Sequence, residues 1–396
     1  MRALSGVNVD ALIIGGGAAG TYCAIHAAAR GLRVAILEKN LDIGAKIRVS
    51  GGGRCNMTNR DIAPHAYLSH NPNFCRSALA RHSQWDFLAW CEAAGLDYEE
   101  KTLGQLFCRQ KSRGLIAALQ KALDAAQIPV YTDTCVDSIR RDGQGFCLHT
   151  SQGVFRAPQI VLACGGPSFA KLGASDHALG FAKSLGIANF PFRPALVPFT
   201  LTEAMPQLAG LSCRVSLRTA QSPTFTEQLL FTHRGLSGPA ILQVSSYWQK
   251  GETVHLNFLP DCPADALAQA KAQHSPQSLT QWLKQYLPNA LAQHLAAPYP
   301  QRPISELADK QIQAISQSLQ DYRLIPSGTE GMKKAEVSTG GIDTRALDPR
   351  TMAVKSQPGM FVIGEALDVT GWLGGYNFQW AWSSAWCCAQ ALNKHL

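Results

Sequence analysis

The sequence predicts an α/β fold: a Rossmann-like dinucleotide-binding domain split by an inserted domain with a β-rich part and a helical part. Three observations predict it. The chain opens on a strand–helix–strand pattern with glycines in its first turn, and it closes on an apolar strand, a glycine-rich turn and a helix. Between these ends the character changes, first to proline-punctuated alternating runs and then to Gln/Ala/Leu-rich helical periodicity. The expected domains are 1–190, the insert 191–330 (β-rich 191–262, helical 263–330), and 331–396, the outer two forming one domain.

Composition bounds the possibilities. At 396 residues, 46 % hydrophobic and 16 % charged, the chain has enough material for a large globular core and an expected two to three domains. No uninterrupted apolar run reaches the ~18 residues a membrane helix needs. Met1 to Asp10 carry no apolar core or cleavage site of a secretory leader, so a soluble, cytoplasmic protein is expected. The 12 cysteines lack metal-ligand spacing, which argues for reduced thiols and no metal, and nothing in the pattern speaks to oligomeric state. A formal net charge of +8 favours a polyanionic partner, although no Lys/Arg run exceeds two residues; any phosphate-binding surface has to be assembled by folding.

In chain order, Asp10–Ile14 and Arg33–Glu38 are apolar strand candidates around an Ala-rich helix, Ala18–Arg30. Helices are expected at Trp85–Ala94 and Leu115–Ala126, with strands at Val130–Val136, Phe146–Thr150 and Gln159–Ala163. Within the insert, Val197–Leu201 and Cys213–Leu217 alternate as strands, while Ser278–Leu287 and Ser305–Leu319 have helical spacing. Phe361–Ile363 is the last expected strand.

Gly15, Gly17 and Gly20 form G-x-G-x-x-G between the first strand and the first helix, and Glu38 ends the second strand. Gly15 suits the tight turn, Gly17 a close backbone approach to pyrophosphate, and Gly20 helix-on-sheet packing. Ala18 and Ala19 open the helix whose free N–H groups face the phosphate, and Glu38, followed by Lys39, can accept the hydroxyls of an adenosine ribose. A second block holds Lys46, Ser50, Gly51, Gly52, Gly53, Arg54, Cys55 and Asn56; its bare backbone can lie against a flat ring or a phosphate. Ala163 and Gly165, after an apolar strand, permit another close approach, and Val136 joins the expected cofactor contacts. In the third block, Gly364, Glu365 and Asp368 follow a strand, then Gly374, Gly375, Tyr376, Asn377 and Gln379 lead into the last helix. A carboxylate there can hold ribityl hydroxyls, and a Gly-Gly turn into a helix offers N–H groups to the electron-rich edge of a flavin. Together the blocks point to FAD, in the two-dinucleotide-binding flavoprotein arrangement.

SGGGRCNMTN (Ser50–Asn59), ACGG (Ala163–Gly166), HRGLSGPA (His233–Ala240), EVSTGGI (Glu336–Ile342) and GEALDVTGWLGGYNFQWAWSS (Gly364–Ser384) resemble the bacterial HI0933-like flavoproteins over essentially the whole chain. The resemblance implies a FAD domain made of the two chain ends with an insert between them. KTLGQLFC (Lys101–Cys108), LLFTHRGLSGPA and the C-terminal block are especially similar to the branch associated with dihydrouridine synthesis in 23S ribosomal RNA. Other branches resemble amine oxidases or reductases of unsaturated small molecules. A flavin-containing RNA-binding or assembly factor with structural FAD is the reading from a different class.

The chemistry so implied adds a hydride to C6 of uracil and a proton to C5, with NADH or NADPH as a transient reductant, since no second G-x-G-x-x-G marks a nicotinamide domain. Cys55, inside the glycine loop, and His233, in a glycine-rich turn, are the expected catalytic proton donors. Arg48, Arg54, Arg109, Lys111 and Arg113 make a positive cluster suited to RNA phosphates, and Trp372 and Tyr376 are aromatic groups that can stack on a base or pack on the flavin.

Overall fold

The computed structural model describes residues 8–143 and 145–394; Met1–Val7, on which the expected absence of a leader mostly rests, lie outside them. The described chain divides into two compact units, one running to Arg193 and resuming at Val337, the other spanning Pro194–Glu336.

The first unit is organised by a five-stranded parallel sheet. Its strands are β1 (Ala11–Ile14), β2 (Val34–Leu37), β3 (Val130–Tyr131), β4 (Gln159–Leu162) and β5 (Met360–Val362), in the order β5-β4-β1-β2-β3. β1, β2 and β4 are buried at every position, as their uninterrupted apolar sequences require for strands covered on both faces. Ala11 is in register with Gln159 on one side and Val34 on the other. The helices α1 (Ala18–Ala28), α2 (Lys111–Ala125) and α3 (Tyr376–Ala391) cover the sheet, and the fully buried Tyr22, Phe87, Trp380 and Trp382 fill the core. Truncating any of these aromatic side chains to Ala costs about 3–5 kcal/mol. Parallel strands aligned in this way bring their carboxyl ends to one edge, where ligands of such folds bind.

Several element bounds differ from the sequence expectation. Of Val130–Val136, only Val130–Tyr131 joins the sheet, and Val136 starts a separate antiparallel strand, Val136–Asp142. Asp133 adopts φ 50°, and the Asp133 and Thr134 N–H groups bond the carbonyls of Asn40 and Glu38, so the chain folds over the end of β2. α2 begins at Lys111, ahead of the expected Leu115.

In the second unit the β and helical parts are not consecutive. A seven-stranded sheet includes Phe199–Thr200, Ser212–Arg218, Phe225–Thr232, Gly235–Ser237 and Val254–Asn257, but also Tyr322–Leu324 and Gly328–Thr329 from the stretch expected to be helical. Helix Pro239–Ser245 lies in the stretch expected to be β-rich. The expected helix Ser278–Leu287 shortens to Leu279–Leu283, capped by Ser278, and Ser305–Leu319 becomes Asp309–Gln320.

Candidate functional site

The site is built at the carboxyl ends of β1, β2, β4 and β5. Gly15 takes φ 112°, and a Cβ there would lie 2.5 Å from the Ala163 carbonyl oxygen. A Cβ on Gly20 would sit 1.9 Å from the Gly15 carbonyl oxygen, so α1 approaches β1 as closely as it does only because Gly20 has none. Gly17 is the N-cap of α1 and differs from both: a Cβ built on it meets nothing within 4 Å. The space in front of the free N–H groups of an 11-residue helix is therefore open, the cradle a pyrophosphate needs. Ala18 and Ala19 form the helix's first turn. Glu38, 6 % exposed, accepts from Gly16 N–H at 2.6 Å and Asn40 N–H at 2.8 Å. Each oxygen keeps acceptor capacity for a ribose hydroxyl. Lys39 donates to Ser175 Oγ at 2.8 Å, and Val136 is buried at the start of its strand.

Lys46 and Glu365 tie three segments together. The Lys46 ammonium donates to Glu365 Oε2 at 2.7 Å, Ser168 Oγ at 2.9 Å and the Gly166 carbonyl at 3.0 Å, which uses all three of its donors. Glu365 Oε1 accepts from Ser338 N–H at 3.0 Å and Ser168 Oγ at 3.3 Å. A Cβ on Gly165 would come within 4.0 Å of both charged groups, so the small-residue turn after β4 lies alongside them. Ser168 and Ser338 were not among the expected contacts, although ACGGPS and EVSTGGI contain them.

The glycine loop is left-handed through Gly51 (φ 54°), Gly52 (φ 67°) and Gly53 (φ 84°), and after a right-handed Arg54 (φ −80°) Cys55 is left-handed again at φ 63°. Gly52 faces open space, while Ser50 Oγ turns back to the Ile47 carbonyl and Arg54 Nε bonds the Gly51 carbonyl. The Asn56 side-chain amide donates to the Thr58 carbonyl at 3.1 Å and accepts from Gly375 N–H at 3.3 Å. At the other end of the site, Gly374 (φ 115°) and Gly375 (φ 99°) open α3; a Cβ on Gly375 would lie 2.3 Å from the Thr58 carbonyl oxygen. Gly364 bridges the C-terminal segments: its N–H donates to Ser384 Oγ and its carbonyl accepts from Trp380 Nε1.

Six of the expected residues are engaged or buried within the chain itself. Cys55 is 0 % exposed, and burial pushes its thiol up to about 12. Gln379, also 0 % exposed, accepts from Thr58 Oγ1 at 2.6 Å and donates to the His82 carbonyl and Ser383 Oγ, so it clasps the strand Asn56–Asn59 to α3. Asn377 closes both amide atoms onto Gly371. Asp368 Oδ2 accepts from His70 N–H at 2.8 Å and pairs with His70 Nδ1 at 2.9 Å, which fixes the Ser69–His70 turn. Tyr376 is 8 % exposed and bonds the Asp61 carbonyl, and Trp372 packs edge-on against it. His233 lies at an exposed hairpin turn of the second unit, and its neighbour Arg234 pairs with Glu330 at 2.9 Å. Among the described residues there is no cluster of metal-ligating side chains and no helix long and apolar enough to cross a membrane.

The open cradle at Gly17, the anchored Glu38 carboxylate and the bare backbone of Gly51–Gly53 fit FAD. Residues 9–391 match the family model described as HI0933-like protein Rossmann domain. The chain belongs to this family. Its fold is accordingly a Rossmann-like FAD-binding fold, and the protein is a FAD-dependent oxidoreductase. It is 44 % identical to a ribosomal RNA dihydrouridine synthase of Escherichia coli K12 over 97 % of this chain and 98 % of that one. A ribosomal RNA dihydrouridine synthase of Haemophilus influenzae is 39 % identical, again over 97 % and 98 %. A 3-dehydro-bile acid delta(4,6)-reductase of Clostridium scindens is 29 % identical over 96 % of this chain and 98 % of that protein.

Proposed function

We propose that the protein reduces a uridine of 23S ribosomal RNA to dihydrouridine, with NADH or NADPH as the electron source, in the cytoplasm. The observation that carries this reading is the end-to-end likeness, at 44 % identity, to a ribosomal RNA dihydrouridine synthase. The net charge of +8 agrees with a polyanionic substrate.

Bound FAD supplies a hydride acceptor and donor matched to the C5=C6 bond of uracil. The chain's own residues hold and shield it. The α1 N-terminus at Gly17 receives the pyrophosphate, Glu38 the ribose, and the Lys46–Glu365 pair sets charge beside the small-residue turn at Gly165. The Gly51–Gly53 loop and the Gly374–Gly375 turn expose backbone to the ring system. With the Cys55 thiol buried, His233 carries the proton-donor assignment. His233→Gln is expected to keep FAD bound and reducible by a nicotinamide while dihydrouridine formation drops by about 10² or more. Normal product formation by that variant removes His233 from the chemistry.

The likeness to a bile-acid reductase favours one second reading, reduction of an unsaturated small molecule. RNA binding separates the two. An RNA substrate gives an affinity that falls steeply with salt, by about 0.7–0.9 log units per log unit of salt for each phosphate contact. A small neutral enone gives an almost flat response.

A further inference from the structure

One flank of the glycine loop carries a cluster of cations. Three strands, Asn56–Asn59, Gln105–Cys108 and Tyr98–Glu100, form a small antiparallel sheet beside the loop. The Phe107 ring lies 5.6 Å from the Arg54 guanidinium and 4.6 Å from the Lys101 ammonium, and it is also what a Cβ on Gly51 would meet first. Arg109 Nε bonds the carbonyl of Tyr98, whose exposed ring stands on the edge strand. Glu99 lies among these groups: its carboxyl is held below the usual range first by the hydrogen bond and charge of Lys101, then by Arg109 and Arg54. Next to this sheet, the Ser112 hydroxyl bonds the Arg48 carbonyl and so brings the start of α2, with Lys111 and Arg113, against the same loop segment.

Arg54, Lys101, Arg109, Lys111 and Arg113 share these elements with the carboxylates Asp97, Glu99 and Glu100 and, at the far end of α2, Asp124; Glu100 is taken up by Arg60 at 2.7 Å. Among the described residues, Lys101 alone of the five forms an ion pair, with Glu99 at 2.8 Å. Lys111 and Arg113 stand in the first turn of a 15-residue helix that has no acidic residue there. The helix dipole disfavours cations at that end, and Lys111 is further strained at φ 60°. Local stability does not explain this placement; an anionic partner does.

We infer that this flank, from Arg54 across Lys101 and Arg109 to the head of α2, is where the phosphodiester backbone of the substrate RNA docks, with Tyr98 available to stack on a base. The inference rests on the RNA reading above and names the surface that serves it. Cations beside an exposed aromatic are how proteins track single-stranded nucleic acid.

The test uses the full-length, FAD-loaded protein, with fluorescein-labelled oligouridylate and protein-free 23S ribosomal RNA as probes. Lys101→Gln/Arg109→Gln/Arg113→Gln removes three phosphate contacts. It is expected to weaken binding about a hundredfold at ~0.1 M salt and to flatten the log–log salt slope by about 2, with FAD content unchanged. Glu99→Gln removes the opposing carboxylate and frees Lys101, so binding should tighten about fivefold, a direction that loss of structure cannot mimic. If the parent protein binds RNA and makes dihydrouridine but the triple variant keeps its affinity and slope, or Glu99→Gln weakens binding, this docking surface is overturned while the proposed function stands. If the parent protein binds neither probe at low salt, both fall together.

Discussion

Replacing Gly17 with Val separates the cofactor cradle from the fold. Gly17 has φ −79° and ψ −168°, an extended conformation that a β-branched residue adopts without strain, and its Cβ would meet no atom within 4 Å. The fold should therefore survive, at a cost of about 1 kcal/mol for the poorer N-cap. What the valine methyl groups occupy is the space before the first N–H groups of α1. Losing one or two charge-assisted hydrogen bonds to pyrophosphate, at about 1.5–3 kcal/mol each, lowers FAD affinity by roughly 10- to 10⁴-fold. Gly20→Ala is the contrast, because its Cβ would fall 1.9 Å from the Gly15 carbonyl oxygen and force α1 off the sheet. FAD titration of the apoprotein by flavin fluorescence, beside thermal melting without FAD, reads both effects. FAD affinity within twofold of the parent in a folded Gly17→Val protein would refute the cradle.

Cys55→Ala is expected to make dihydrouridine within a few-fold of the parent rate, and the native thiol should resist iodoacetamide at pH 8, because with its pKa pushed up to about 12 only about 10⁻⁴ is thiolate; a loss of product beyond a hundredfold with FAD retained would return it to the chemistry. Gln379→Leu leaves the Thr58 hydroxyl and the His82 carbonyl without their buried amide partner, and calorimetry should record about 1–3 kcal/mol of lost stability. His26 and His82 are held below the usual imidazole value of 6.5, to about 4, chiefly by burial. The unfolded chain then binds protons more readily than the native state, so stability is complete above pH 6.5 and falls as pH drops from 6.5 towards 4, by up to about 3 kcal/mol per imidazole. A His26→Gln/His82→Gln protein should show a shallower acid limb in urea melts; an equally steep one assigns the loss to other groups.

The parts of the site that could be read directly are those whose chemistry is local. Gly15, Gly17, Gly20 and Glu38 lie within one strand–helix–strand unit, so spacing alone implied their geometry. The contacts that could not be read are those between residues distant in sequence. Gln379 meets Thr58 across 321 positions and Asp368 meets His70 across 298, and no periodicity reports such pairings. Burial of Cys55 is likewise invisible in its loop sequence, because it comes from the strand Gln105–Cys108, whose Cys108 N–H bonds the Cys55 carbonyl. In the second unit, Tyr322–Leu324 pairs with Val254–Asn257 over an intervening run of helices. Division of that stretch by composition therefore could not separate sheet from helix.

Dihydrouridine synthesis by this chain can be read by incubating the FAD-loaded protein and a nicotinamide reductant with unmodified 23S ribosomal RNA, then mapping nuclease fragments by mass spectrometry. A gain of two hydrogens on one uridine is expected, absent without the reductant and absent with Gly17→Val at limiting FAD. RNA that stays unmodified while the same preparation reduces an unsaturated small molecule would contradict it.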